Sequence, residues 1–170
     1  LDPLDNMLFL AAIPMLAAFR VRHRQRDEHG VVSEHVGELS GEAWHGGPLV
    51  FSWEDIEFGR RHPDDGENVV IHEVAHKLDM RNGDANGHPP LPRGMSRAEW
   101  ARAFSGAYET MTDALQRGRE AEIDPYAAPD PGEFFAVVSE YYFEAPRHLR
   151  ESMPGVYEQL QRFYGREPAA

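Results

Sequence analysis

The sequence contains no cysteine. That absence excludes disulfides and thiolate metal sites, so any transition-metal site must be built from His, Asp and Glu. It also suits a reducing compartment, and the expected location is cytoplasmic. Positive charge is scarce: 17 Lys and Arg stand against 29 Asp and Glu, a formal net charge of −12. A nucleic-acid binder usually carries a basic face, and an anionic membrane repels such a chain, so neither is an expected partner. The apolar run Met7–Phe19 covers 13 residues and contains Pro14, whereas a bilayer-spanning helix needs ~20. Acidic Asp2 and Asp5 lie ahead of the bulk of it, where a signal peptide would begin with a basic segment. Asp5–Leu16 therefore reads as a core helix.

Repeats, low-complexity segments and linkers are lacking too. With 170 residues, 41% of them hydrophobic, the chain suits one globular domain that buries roughly 70% of its unfolded surface. After the first helix come strand signals. Phe19–Arg26 alternates Phe19, Val21, His23 and Gln25 with four arginines, a period of two. This is a solvated edge strand guarded by charge or a basic wall beside a substrate groove. Val32–Leu39 is a weaker strand, and Gly46–Trp53 a better one, opened by a turn signal. The second half reads as helical. Glu67–Arg81 is stopped by Asn82-Gly83. Ser96–Glu99 is a capping box that opens a helix to about Gly118. Asp130–Glu144 has Asp130 as N-cap and Pro131 at the first helical position, with Pro146 as its stop. Met153–Gly165 is a last amphipathic helix. Strands first and helices after indicate an α+β fold with helices packed on an antiparallel or mixed sheet.

The stretch "VVIHEVAHKLDMRNGD", Val69–Asp84, carries the chemistry. Positions four apart on a helix share a face, so His72 and His76 can aim both rings at one point. Glu73 sits about 100° round the helix, outside that pair but within reach of a water on a bound metal. Val70, Ile71, Val74, Ala75 and Leu78 supply an apolar face to bury the helix. His-Glu-x-x-His thus offers two ligands and a general base for zinc chemistry, with a water in the open position. The plain alternative is an ordinary core helix with two histidines and a solvated glutamate.

The third ligand is harder to assign. Asp79 lies further down the helix than the metal position and suits a structural role there. His88 sits in a Gly/Pro-rich loop and His45 beside Gly46-Gly47; neither is favoured. Glu133 and Glu140 are the strongest candidates. They share one helix face seven residues apart, about 10 Å along the axis, so a single zinc cannot use both. Glu133 doubles as a capping-box partner of Asp130. Glu140 lies between "FFAVVS" and "YYF", where a carboxylate needs a partner or a metal, and the local evidence leans to it. Asn82, Asp84, Asn86 and Gly87 mimic part of a calcium loop, but Arg93 stands where a bidentate glutamate is needed. That stretch reads as turn chemistry.

Several blocks in order, "WHGGPLVFSWEDI", "HEVAHKLDMRNGDANG", "DPYAAPDPGEFFAVVSEYYFEAP" and "LQRFYGREP", resemble the Mlc titration factor A family of metallopeptidases. The match covers most of Ala43–Pro168. The resemblance implies a gluzincin-like zinc peptidase: a zincin-like domain with a small sheet packed against the HExxH helix and a mostly helical C-terminal half. It implies one Zn2+ per chain, held by His72, His76 and Glu133, with Glu73 as general base. Glu133 thereby displaces the local lean, and Glu140 and Asp79 become candidate outer partners of the ligands. It implies that Tyr126, in the "DPYAA" block, donates to the oxyanion, although a tyrosine there is otherwise a packing residue. It further implies aminopeptidase-like cleavage of small substrates and binding to a transcriptional repressor of sugar-uptake genes. Residues 1–170 are expected to form one catalytic domain. The family carries more chain at the amino end and more between Leu16 and Ala17, so part of the N-terminal chain is expected to be missing.

Two functions compete on these residues. One is a zinc metallopeptidase acting on peptides through Glu73. The other is a binding protein that sequesters a repressor, with zinc mainly structural. A hydrolase of non-peptide amides is a weaker third, because the motif does not define the bond cleaved.

Overall fold

A computed structural model describes residues 19–26, 32–39, 41–43 and 49–168. The expected Asp5–Leu16 helix and His45 lie outside them. Strands β1 (Phe19–Arg26) and β2 (Val32–Leu39) pair antiparallel, with Phe19 opposite Leu39 and Arg26 opposite Val32. Strands β3 (Gly41–Ala43) and β4 (Leu49–Phe51) form a second antiparallel pair, with Gly41 opposite Phe51. Among the described residues the strands thus make two separate two-stranded ribbons, not one sheet. The β3–β4 pair lies against the helix that carries the histidines.

The strand expected to reach Trp53 stops at Phe51, and a helix begins instead. Ser52 Oγ accepts the Asp55 N–H, which starts α1 (Trp53–Arg61). Glu54 and Asp55 in its first turn and Arg60 and Arg61 in its last complement the helix dipole. Next, α2 (Val69–Asp79) is capped by Asn68, whose side chain accepts from Val70 and Ile71. It tightens into a 3₁₀ turn (Met80–Asn82) and stops at Gly83. The long α3 (Arg97–Gln116) starts at the Ser96 cap, as the capping box predicts. A 3₁₀ turn (Pro125–Ala127) leads to α4 (Pro131–Glu144), where Asp130 accepts from Gly132 and Glu133. Pro146 does more than stop α4: it is the first residue of α5 (Pro146–Ser152), and α6 (Pro154–Tyr164) closes the chain's helices. Proline at a first helical position costs no hydrogen bond, because that N–H has no intrahelical partner.

Helix α4 runs through the core, with nine buried residues from Gly132 to Tyr142. Trp100 and Phe104 of α3 stack at 4.0 Å between ring centroids and pack with Phe135. Leu149 of α5 and Val156 and Leu160 of α6 complete this apolar cluster. The burial of α2 differs from the expected apolar stripe. Its buried residues are His72, Glu73, Ala75, His76 and Asp79, while Val70, Ile71, Val74 and Leu78 are half-buried. The polar face is the one turned inward, toward α4.

Candidate metal centre

Two helices running in opposite directions build the site. Asn68, at the start of α2, meets Glu140 and Glu144 near the end of α4: its N–H donates to Glu140 Oε2, and its side-chain amide donates to Glu144 Oε1 at 2.7 Å. One turn along α2, His72 Nδ1–H donates to Glu140 Oε1 at 2.7 Å. This fixes the ring and leaves Nε2 facing the other way. His72 Nε2 lies 3.1 Å from His76 Nε2 and 3.2 Å from Glu133 Oε2, and Glu133 Oε1 lies 3.4 Å from His76 Nε2. Asp130 caps α4 and accepts the Glu133 N–H at 3.0 Å, which holds Glu133 in the first turn. Both histidines are buried, as are Glu73 and Glu140.

These donors suit a divalent cation. Ligand atoms of a tetrahedral zinc with bonds of about 2.0–2.1 Å stand about 3.3 Å apart. The three separations here match that spacing. Two imidazole nitrogens at 3.1 Å with a carboxylate beside them make a compact set of two nitrogens and an oxygen. His76 Nδ1 is buried with no hydrogen-bond partner among the described residues, and Glu133 Oε2 faces His72 Nε2 at 3.2 Å. His72, His76 and Glu133 are also the one such grouping of three among the described residues.

Electrostatics point the same way. Burial disfavours a charged His72, but hydrogen bonds to Glu133 and Glu140 and the charges of both outweigh it and push the ring up to about 10. Burial likewise raises Glu133, but bonds from His72 and His76 prevail and hold it down to about 2. A cationic ring between two carboxylates marks a place where positive charge is wanted.

A cleft of about 350 Å³ opens beside the cluster. His72, Glu73, Tyr126 and Glu140 line it, with Phe58 of α1 and Asp124 across from them. Tyr126 is 59% exposed, and its ring centre lies 5.8 Å from that of His72. It overhangs the site and is not a core packing residue. Burial, and then the charges of Glu133 and Glu73, raise its phenol above the ordinary tyrosine value, so it stays a donor at neutral pH.

The remaining candidates fall elsewhere. Asp79 is fully buried, yet it accepts from the N–H groups of Asn86 and Gly87 and from no triad histidine among the described residues. The calcium-like stretch is turn chemistry: Asn82 donates to the His88 carbonyl, and Asn86 Oδ1 accepts the His88 N–H. Sequence reasoning missed α1 as a wall of the cleft and Asn68 as the link to Glu140. Both had signals: Ser52 followed three residues on by Asp55, and an asparagine just ahead of a periodic apolar run.

Residues 15–165 match the family described as glucose-regulated metallo-peptidase M90. The relatives are Mlc titration factor A proteins. That of Serratia proteamaculans (strain 568) is 41% identical over 155 residues, covering 89% of this chain and 58% of the relative. That of Cronobacter sakazakii (strain ATCC BAA-894) is 40% identical over 154 residues, covering 89% and 57%. This chain spans under three fifths of the length of these relatives. It belongs to the Mlc titration factor A family of metallo-peptidases.

Proposed function

We propose that the chain is a single zincin-like, gluzincin-type catalytic domain that hydrolyses peptide bonds with one zinc held by His72, His76 and Glu133. The observation that carries this reading is the convergence of those three side chains at 3.1–3.4 Å beside a cleft that Glu73 lines. When bound, zinc acts as a Lewis acid toward a water and a substrate carbonyl. Glu140 holds His72 by Nδ1, so that Nε2 is the atom offered to the ion. Glu73 takes the proton of the attacking water and delivers it to the leaving amine nitrogen. Tyr126 donates its phenolic O–H to the carbonyl oxygen as negative charge develops there. Phe58, Val69 and Val137 give the cleft an apolar side, and an apolar surround strengthens each of these interactions.

The cleft favours a cationic substrate end. Asp55, Glu67 and Asp124 line it, and no lysine or arginine does among the described residues. That supports an aminopeptidase-like preference for a free α-ammonium group. One experiment tests both parts, using matched peptides with free and acetylated amino ends. Glu73→Gln should keep its zinc and lose about 10²–10⁴-fold in hydrolysis, and the wild type should prefer the free amino end. Wild-type rates in Glu73→Gln would remove the base from the mechanism, and equal rates on both peptides would remove the exopeptidase preference.

A second reading rests on the relatives' names. A titration factor binds its target, so the chain would sequester a transcriptional repressor, with zinc mainly structural. Repressor binding that survives Glu73→Gln but fails on zinc removal would favour it.

A further inference from the structure

Asp79 sits three residues beyond the second histidine and takes no part in the chemistry above. Its position is nonetheless unusual. It is fully buried at the end of α2. Its Oδ2 accepts two short bonds, 2.7 Å from the Asn86 N–H and 2.6 Å from the Gly87 N–H. Charge-assisted bonds of this length are strong and directional. They fold residues 84–88 back beneath the helix end.

The far side of that loop touches α4. Gly87 has φ +75°, and a Cβ there would stand 2.5 Å from the Pro131 carbonyl oxygen and 3.1 Å from its carbon. A Cβ on Gly132 would stand 3.1 Å from the Ala85 carbonyl oxygen. The loop and the first turn of α4 therefore lie backbone against backbone, a spacing that only glycine permits. Trp100 holds the loop from a third side by donating Nε1–H to the Gly87 carbonyl at 2.9 Å. The next residue of α4 is Glu133. The start of α2 is tied to the end of α4 through Asn68, Glu140 and Glu144. At the opposite end of the pair, this loop joins the end of α2, through Asp79 and Gly87, to the first turn of α4.

We infer that Asp79 is a positioning residue for the metal centre: through Asn86 and Gly87 it sets where Pro131, and hence Glu133, stands relative to His72 and His76. This rests on the metal reading proposed above. A displaced Glu133 would leave two histidines and a poorly placed third donor. Zinc affinity and ligand geometry would change before the fold did.

The test uses the purified chain with zinc or cobalt(II) alone. Zinc affinity is measured by chelator competition, ligand geometry by the cobalt absorption spectrum, and folding by thermal melting without metal. Asp79→Ala should bind zinc about 10–100-fold more weakly and shift the cobalt spectrum. Asp79→Asn keeps a carbonyl oxygen for the two N–H groups and should restore most of the affinity. Gly87→Ala should act in the same direction by pressing on Pro131, and it carries the test if Asp79→Ala does not fold. Met111→Ala, a buried core deletion on α3, should lower the melting temperature without moving either metal readout. Folded Asp79→Ala or Gly87→Ala protein with wild-type zinc affinity and cobalt spectrum would overturn the inference. Absence of zinc binding by the wild type would instead defeat the metal reading itself.

Discussion

Glu133 and Glu140 grip the same imidazole from opposite edges: Glu133 faces His72 Nε2, and Glu140 accepts from Nδ1. The division follows from the antiparallel course of α2 and α4, which puts the start of one beside the end of the other. It also separates the two carboxylates by task. Glu133→Gln should lose zinc, because a neutral amide replaces the anionic ligand. Glu140→Gln should keep it, with affinity lowered about 10–100-fold. Zinc content of the two variants, measured after dialysis, checks this; the reverse order would mean that Glu140 is the ligand. Sequence alone could not choose between them. Both lie on one face of a helix that reads clearly, but which end faces the metal is a tertiary fact. Local reasoning leaned to Glu140 because a carboxylate among aromatic residues needs a partner; it has one, His72. The resemblance to the family points instead to Glu133, the carboxylate that faces Nε2 of both histidines. His72 and His76 needed no such help, since i, i+4 spacing suffices to pair them.

At the scale of elements, capping decides more than hydrophobicity does. The Asn68 side chain accepts two N–H groups of α2 and donates to Glu144. Asn68→Ala should cost about 1–2 kcal/mol, seen as a lower urea midpoint at unchanged slope. Zinc binding should persist, because the Asn68 backbone N–H that reaches Glu140 survives the substitution. An unchanged midpoint would show that the cap is not holding the helix. The same logic explains which elements could be read from the sequence. Helices α3 and α4 announced themselves by Ser96 and by Asp130-Pro131. The shorter α1 was hidden behind the apolar "LVF", which drew Ser52 and Trp53 into a strand. Likewise α5 is hidden in the sequence because Pro146 signals a stop for α4, while proline also begins helices. Strand β1 was legible by alternation and β4 as a short apolar run after a turn signal; β3 (Gly41–Ala43) and the split into two ribbons were not, since pairing depends on contacts distant in sequence.

At the scale of the molecule, a chain of net charge −12 concentrates buried ionisable groups at one place, and this couples its stability to pH. His72 is pushed up to about 10 from an ordinary 6.5. A raised value contributes stability that is complete below about pH 6.5 and lost as pH climbs toward 10. Glu133 is held down to about 2 from 4.5, so its contribution is complete above about pH 4.5 and lost as pH falls toward 2. The metal-free chain therefore gains most from this cluster between about pH 4.5 and 6.5. Zinc requires a neutral ring, so its binding expels the His72 proton and strengthens as pH rises. The metal-free melting temperature should fall from pH 6.5 to 9, while the increment produced by zinc grows. An increment flat across that range would contradict the linkage. None of the helices among the described residues is long and apolar enough to cross a membrane.

Zinc K-edge X-ray absorption on the purified chain is the most direct test of the account. The expected spectrum has about one zinc per chain, two imidazole nitrogens and carboxylate oxygen at 2.0–2.2 Å, with the imidazole signal reduced in His76→Ala. A chain that retains no zinc, or whose zinc spectrum lacks imidazole scattering, would contradict the claim that His72, His76 and Glu133 form a metal centre.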